Sequence, residues 1–125
     1  MRSLREREAR ESGSATIWMV TLMAVVWVVA LAVLQVGAVR VARHRAQSAA
    51  DLSALAAAAH AFSAPEGACG RADMVAMANG ARMVSCALSD GIVDVAAAVA
   101  VPRVLPIVGV GTATALARAG PVTAP

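Results

Sequence analysis

The chain has 125 residues, of which 59% are hydrophobic and 2% aromatic, and its formal net charge is +3. This length accommodates at most one small domain. Every basic residue is an arginine, and the arginines are scattered along the chain without interleaved aromatic residues. The composition therefore argues against a nucleic-acid-binding protein. The excess of Ala and Val over bulky side chains favours closely packed helices and thin sheets.

The first predicted element is a hydrophobic helix that follows a charged N-terminus, residues 1–14. Residues 15–39 contain no charged side chain. As a helix they extend about 37 Å, which is enough to cross the roughly 30 Å apolar core of a bilayer. The rest of the chain is too poor in bulky apolar residues to bury such a helix. We therefore expect a single transmembrane helix in the cell membrane.

A cleavable signal peptide is an alternative interpretation of the same segment. The charged start, the apolar stretch and the small residue Ala38 are typical of a secretory signal, and cleavage after Ala38 would release a small secreted binding or effector protein. The apolar stretch is, however, longer than the roughly 7–15 residues of an ordinary signal core. The anchored form is therefore preferred.

The orientation of the predicted anchor depends on its flanks and on the cysteines. Four arginines precede the hydrophobic run and three follow it closely, so the positive-inside rule favours a cytoplasmic N-terminus by a narrow margin. Cys69 and Cys86 are the only cysteines, and both lie beyond the run. An even pair in a small extracytoplasmic domain favours a disulfide. Together these features predict a cytoplasmic N-terminus and an extracytoplasmic C-terminus.

The helix is predicted to continue beyond the membrane over residues 40–62, where helix formers dominate and Pro is absent. Residues 63–67 then end it. Four apolar residues share one stripe of this extension: Leu52, Leu55, Ala59 and Phe62. The stripe either covers the domain that follows or packs on a neighbouring subunit.

Residues 63–125 are predicted to form a small extracytoplasmic α+β domain. A short helix over 71–78 ends at Asn79-Gly80, and strands over 83–89 and 92–101 are joined by Asp90-Gly91, the residues that a type I′ turn prefers. A two-residue turn pairs Cys86 with Val95 and Val84 with Ala97, which places both apolar sets on one face. A third strand over 112–119 is possible. The fold class is therefore α+β and pilin-like, with an antiparallel hairpin or a three-stranded sheet.

The hairpin register bears directly on the cysteines. It directs Cys86 towards the buried face, where the helix that begins near Cys69 is expected to lie. A disulfide between them would contribute about 3 kcal/mol on the chain-entropy model. Two free buried thiols are the alternative.

Residues capable of catalysis or metal binding are sparse and separated. His44 and His60 are the only histidines, and neither has a carboxylate or a cysteine at metal-ligand spacing. The acidic residues are isolated, and no glycine-rich phosphate loop follows a strand. Gly109 to Gly111 is interpreted as a loop. We expect no enzyme activity, no cofactor, no bound metal and no small-molecule substrate.

Two sequence segments resemble a known family of pilus-assembly proteins. Gly13-Ser14-Ala15-Thr16 at the membrane entrance, and residues 45–56 (RAQSAADLSALA) beyond it, are similar to the TadE/TadG group of Flp (Tad) pilus-assembly proteins. Asn79-Gly80-Ala81, the cysteine pair and residues 118–121 (RAGP) resemble an actinobacterial branch, the helicase/secretion-neighbourhood TadE-like proteins.

The resemblance implies a minor pilin or pseudopilin that assists assembly of a Flp-type pilus or a related secretion machine. Its partners would be the membrane, other pilin-like subunits or Tad inner-membrane assembly proteins. Prepilin processing would cut after Gly13 and leave Ser14 first, although Trp18 stands where such pilins usually carry Glu. Contacts with other membrane helices are expected along one small-residue face. The residues of this face are Ala38, Ala42, Ala46, Ala49 and Ala50.

Overall fold

A computed structural model describes the backbone of residues 2–12 and the complete residues 13–103 and 111–122. The chain forms two helices followed by three strands. The elements are α1 (Arg2–Ala58), α2 (Pro65–Ala78), β1 (Arg82–Ser89), β2 (Ile92–Ala100) and β3 (Thr112–Ala119). The α+β fold class is confirmed.

The helix α1 is longer at its start and shorter at its end than the sequence predicts. It begins at Arg2, within the charged N-terminal segment, and it ends at Ala58 instead of residue 62. The amide of His60 donates to the carbonyl oxygen of Ala57 at 3.0 Å, and the amide of Ala61 donates to the carbonyl oxygen of Ala58 at 3.2 Å. These i→i−3 bonds form a tightened last turn, which is common where a helix ends.

The helix α2 begins at Pro65, six residues before the predicted start at Arg71. Proline suits the first position of a helix, because its fixed φ is helical and its missing N–H would have no partner there. Glu66 in the first turn adds a favourable charge near the helix N-terminus. The predicted exit is confirmed, since Gly80 has φ of +70° after the C-cap Asn79.

The three strands form one antiparallel sheet in the order β1-β2-β3. Asp90 and Gly91 both have positive φ, as a type I′ turn requires. Cys86 pairs with Val95 as predicted, but a bulge between Met83 and Ser85 shifts the register by one residue at the start of β1. Ala97 therefore faces Met83 and not the predicted Val84.

The bulge exchanges the side chain that contributes to the core. Val84 is 55% exposed, whereas Met83 packs against the buried clusters on the inner face of the sheet. A bulge inserts one extra residue and thereby moves every residue before it to the opposite face.

The core consists mainly of alanine and lies between the sheet and the two helices. Its proximal cluster joins Ala42, Ala46, Ala49 and Ala50 of α1 to Val99, Val101 and Ala113. Its distal cluster joins Ala54, Ala57 and Ala61 to Ala68, Ala72, Val93 and Val95. We call these the proximal and distal clusters, because α1 enters the domain at the first and leaves it at the second. The strand β2 thus runs antiparallel to α1, and α2 returns towards the proximal end.

The sheet extends as far down α1 as Val39, the last residue of the uncharged run. Val39 packs against the proximal cluster, which includes Val101. The amide of Val101 donates to the carbonyl oxygen of Gly111 at 2.9 Å. The predicted loop at Gly109 lies outside the described residues. The domain is therefore built directly onto the end of the apolar segment.

Candidate functional site

The apolar part of α1 is exposed along its length. Between Gly13 and Ala58, α1 contains an 18-residue window with a mean hydropathy of 2.7, none of which is buried within the protein. We call the uncharged residues 15–39 of this helix the apolar span. Trp18, Trp27 and Val28 have exposures of 65%, 62% and 66%. Among the described residues, this is the one helix long and apolar enough to cross a membrane.

The predicted processing site lies at the start of this span. Gly13 and Ser14 are both exposed and both helical. No heavy atom lies within 4 Å of where a Cβ of Gly13 would be. Trp18 follows on the same exposed helix. The structure places these residues together, and cleavage after Gly13 stays a prediction.

The alanines predicted to contact other membrane helices are instead part of the protein's own core. Ala46, Ala49 and Ala50 are fully buried, and Ala42 is 2% exposed. They pack against the sheet and α2, and only Ala38 lies at the boundary of the buried surface. The prediction of a free packing face is therefore wrong for Ala42 and the residues after it. Small side chains allow close approach, but sequence alone does not tell which neighbour approaches.

Leu52 and Leu55 face away from the domain, whereas Phe62 is exposed but touches the hairpin turn. These side chains are 47%, 62% and 74% exposed. The first of the two predicted roles, covering the domain, is wrong for Leu52 and Leu55, because the buried face of α1 is the opposite, alanine-rich one. The ring of Phe62 lies over the hairpin turn, where a Cβ on Gly91 would come within 2.5 Å of its Cζ.

A disulfide joins Cys69 of α2 to Cys86 of β1, with the two Cα atoms 5.8 Å apart. The pairing predicted from the hairpin register is present, and Cys86 packs against the distal cluster. Both cysteines are partly exposed. The bond fixes α2 over the edge strand of the sheet.

The outer face of the sheet carries a salt bridge that the sequence analysis missed. Arg118 Nε donates to Asp94 Oδ1 at 2.6 Å, and Nη2 donates to Oδ2 at 3.0 Å. The two residues pair directly across β2 and β3. The bond to Arg118 lowers the pKa of the Asp94 carboxyl below its usual range. Knowing the register between β2 and β3 would have revealed that Asp94 faces Arg118. The sequence provides a turn dipeptide that fixes the register for β1 and β2 only.

The sign of this pKa shift sets the pH dependence of the pair. A carboxyl whose pKa is lower in the folded state stabilises the fold above its unfolded pKa. That contribution is lost as the pH falls through the folded pKa. Because both side chains are largely exposed, we expect the effect to be small and sensitive to salt.

The two histidines are separate and exposed. The Nδ1 of His60 lies 3.0 Å from the carbonyl oxygen of Ala56, and His44 lines a surface hollow with Arg45 and Asn79. Among the residues whose side chains are described, no group of three or more His, Cys, Asp or Glu residues is arranged to hold a metal ion.

Comparison with known proteins identifies the segment that carries the long helix. A family model described as putative Flp pilus-assembly TadE/G-like matches residues 13–60. No curated protein and no solved structure shows significant similarity to the chain. The matched residues cover the apolar span and the part of α1 that packs on the sheet. The match supports a role in pilus assembly, and residues 13–60 of this chain are similar to the TadE/G-like family of putative Flp pilus-assembly proteins.

Proposed function

We propose that this protein is a single-pass membrane component of a Flp/Tad-type pilus or a related secretion machine, acting as a minor pilin or pseudopilin. The observation that supports this most is the coincidence of the family match with one continuous helix. Residues 13–60 comprise an apolar span able to cross a bilayer and an extension whose alanines pack against the sheet and α2. Such a helix carries a folded head at a fixed distance from the membrane.

The proposed orientation has the N-terminus in the cytoplasm and the folded domain outside. The disulfide between Cys69 and Cys86 supports it, because disulfides persist in oxidising compartments. The role that we propose is structural rather than catalytic, and it works through contacts with other subunits. The exposed Leu52, Leu55 and Phe62 are the residues that we expect such contacts to use. Assignment to the actinobacterial branch stays a prediction.

A secreted binding or effector protein is the second candidate, and one structural observation favours it. Packing of α1 against the sheet begins at Val39 and Ala42. Cleavage after Ala38 would therefore leave the buried core complete. The membrane span could be removed without unfolding the domain.

The intact mass of the protein distinguishes these candidates. The protein would be purified without reducing agent from the membranes of its native host and, separately, from the culture medium. We expect a membrane form that is full length or begins at Ser14, and that gains two hydrogens on reduction of the disulfide. A form that begins at Val39 and occurs in the medium would contradict the anchored role.

A second measurement tests the role in pilus assembly itself. Deletion of the gene should abolish or reduce surface pili, and the wild-type chain should restore them. A variant with Leu52→Asp and Leu55→Asp should reach the membrane but fail to restore pili. The matched control is Ser48→Asp with Asp51→Asn, which changes exposed polar positions of the same helix segment. Normal piliation in the deletion strain would contradict the proposal.

A further inference from the structure

The charged side chains of the folded domain are distributed unevenly along its long axis. The first acidic residue after the apolar span is Asp51, about 16 Å along the helix from Arg40. Glu66 lies in α2, Asp90 in the hairpin turn and Asp94 in β2, all next to residues of the distal cluster, and Asp73 lies in α2 between Ala72 of the distal cluster and Ala76 of the proximal one. Five exposed arginines lie at the other end. They are Arg40, Arg43 and Arg45 of α1, Arg82 at the start of β1, and Arg103 just beyond β2.

The fold brings these arginines together at the level where α1 leaves the apolar span. Arg82 follows Ala81, which packs in the proximal cluster with Ala42, and Arg103 follows Val101 of the same cluster. Asn79, three residues before Arg82, lines one hollow with Arg45 and His44. Arg82 and Arg103 are distant in sequence from the helix flank. The return of α2 brings Arg82 back to it, and the antiparallel course of β2 along α1 brings Arg103 back. We call Arg40, Arg43, Arg45, Arg82 and Arg103 the arginine collar.

None of the collar arginines forms an ion pair with a described residue. Over residues 13–103 and 111–122, the one ion pair joins Arg118 to Asp94 on the outer sheet face. Asp51, the first acid that follows the collar on α1, accepts a hydrogen bond from Gln47 at 3.0 Å. The guanidinium groups of the collar are thus available to an external anion.

We propose that the arginine collar seats the folded domain on the membrane surface by binding the anionic headgroups of phospholipids. The proposal rests on the membrane anchoring proposed above. Val39 ends the uncharged run and is also in contact with the proximal cluster, so that no linker separates the domain from the bilayer. The collar therefore lies at the depth of the lipid headgroups, in the leaflet that faces the domain.

Guanidinium groups suit this partner for two reasons. Their planar donors bind phosphate oxygens in a bidentate manner. Each basic residue held at an anionic bilayer surface strengthens binding by about fivefold at physiological salt. Because the collar surrounds the exit of α1, several headgroups can be bound at once. Binding would limit tilting of the domain and so fix the direction in which its distal end points.

Hydrogen exchange in nanodiscs tests the proposal with the full-length chain. One set of nanodiscs contains phosphatidylcholine alone, and the other contains phosphatidylcholine with phosphatidylglycerol. We expect amides in residues 79–83 and 98–103 to exchange several times more slowly with phosphatidylglycerol, and amides in residues 64–72 to be unaffected. High salt should remove the difference, because it screens exposed charges.

Matched variants assign the effect to the collar. Arg82→Gln should weaken the dependence on phosphatidylglycerol, and Arg82→Gln with Arg103→Gln should remove most of it. Arg71→Gln removes the same charge from the exposed side of α2 and should leave the dependence intact. Equal exchange in the two kinds of nanodisc, or equal loss with Arg71→Gln, would overturn the proposal. Equal protection of the same amides by a DNA duplex in phosphatidylcholine nanodiscs would also overturn it, in favour of a nucleic-acid site.

Failure of the anchoring itself gives a separate result. A chain that does not enter nanodiscs, or that alkaline carbonate extracts from native membranes, overturns both the anchoring and the collar. A chain that inserts stably but exchanges equally in both lipids overturns the collar alone.

Discussion

The glycine of the hairpin turn is the residue on which the local structure depends most clearly. Gly91 has φ of +76°, where residues with a Cβ are strained. A Cβ there would also lie 2.5 Å from Cζ and 2.9 Å from Cε1 of the Phe62 ring. The ring is largely exposed, so it can move, but it then loses its contact with the turn. The backbone strain remains whether or not the ring moves.

We predict that Gly91→Ala destabilises the domain by about 1–2 kcal/mol, because both the left-handed conformation and the ring oppose the new methyl group. The matched control is Gly70→Ala in α2, where no heavy atom lies within 4 Å of the new Cβ. Alanine is preferred to glycine inside a helix, so this change should stabilise by about 0.5–1 kcal/mol. Urea unfolding of the full-length chain in detergent micelles measures both. If both variants shifted stability in the same direction, the role assigned to the turn would be incorrect.

At the scale of the elements, the helix α1 has a buried face and an exposed face over residues 40–58. The buried face is made of alanines that allow α1 to lie close to the sheet, and its one polar member is Ser53, whose Oγ has no hydrogen-bond partner among the described residues. Close-packed interiors respond strongly to added volume. Substitutions on the two kinds of face should therefore have different effects.

We predict that Ala46→Leu destabilises the domain by about 1–3 kcal/mol, since its added atoms have no space between α1 and the sheet. Ser48→Leu places the same side chain on the exposed face and should change stability by less than about 0.5 kcal/mol. Thermal unfolding of the disulfide-bonded chain, followed by far-ultraviolet circular dichroism, provides the comparison. Equal stability of Ala46→Leu and the wild type would show that the helix does not rest on the sheet in this way.

The elements also show how far the sequence could predict the structure. The apolar helix, the hairpin turn, the third strand and the cysteine pairing follow from local periodicity and from one turn dipeptide. The bulge at Val84 could not be predicted, because β1 contains neither Gly nor Pro to mark it. The direction of the alanine face was also beyond the sequence, since alanine allows contact with the sheet and contact with another subunit equally well.

The candidate site was predicted less completely than the fold. The stripe through Leu52, Leu55 and Phe62 was recognised from its helical spacing, but its outward direction required the sheet to be placed. The arginine collar could not be recognised in the sequence. Arg82 and Arg103 lie more than thirty residues beyond Arg45 in the chain, and it is the courses of α2 and β2 that bring them back to the start of the domain.

At the scale of the whole molecule, the apolar span and the folded domain share one helix but not one core. The span has no buried side chain of its own, and the packing of the domain begins at Val39. The domain should therefore fold without the span. It should not fold without the alanines of α1, which supply one side of the proximal cluster.

We predict that a fragment of residues 39–125 folds cooperatively and forms the disulfide between Cys69 and Cys86. A fragment of residues 53–125 retains both cysteines and all three strands but lacks Ala42, Ala46, Ala49 and Ala50. Without them the inner faces of Val99 and Val101 are exposed to water, so this fragment should not show a cooperative transition. Circular dichroism during thermal unfolding, with the disulfide verified by mass, compares the two. Cooperative unfolding of the shorter fragment would mean that the sheet and α2 are enough to form a folded domain. The part of α1 that follows the apolar span would then be available for contacts with other subunits along all of its faces.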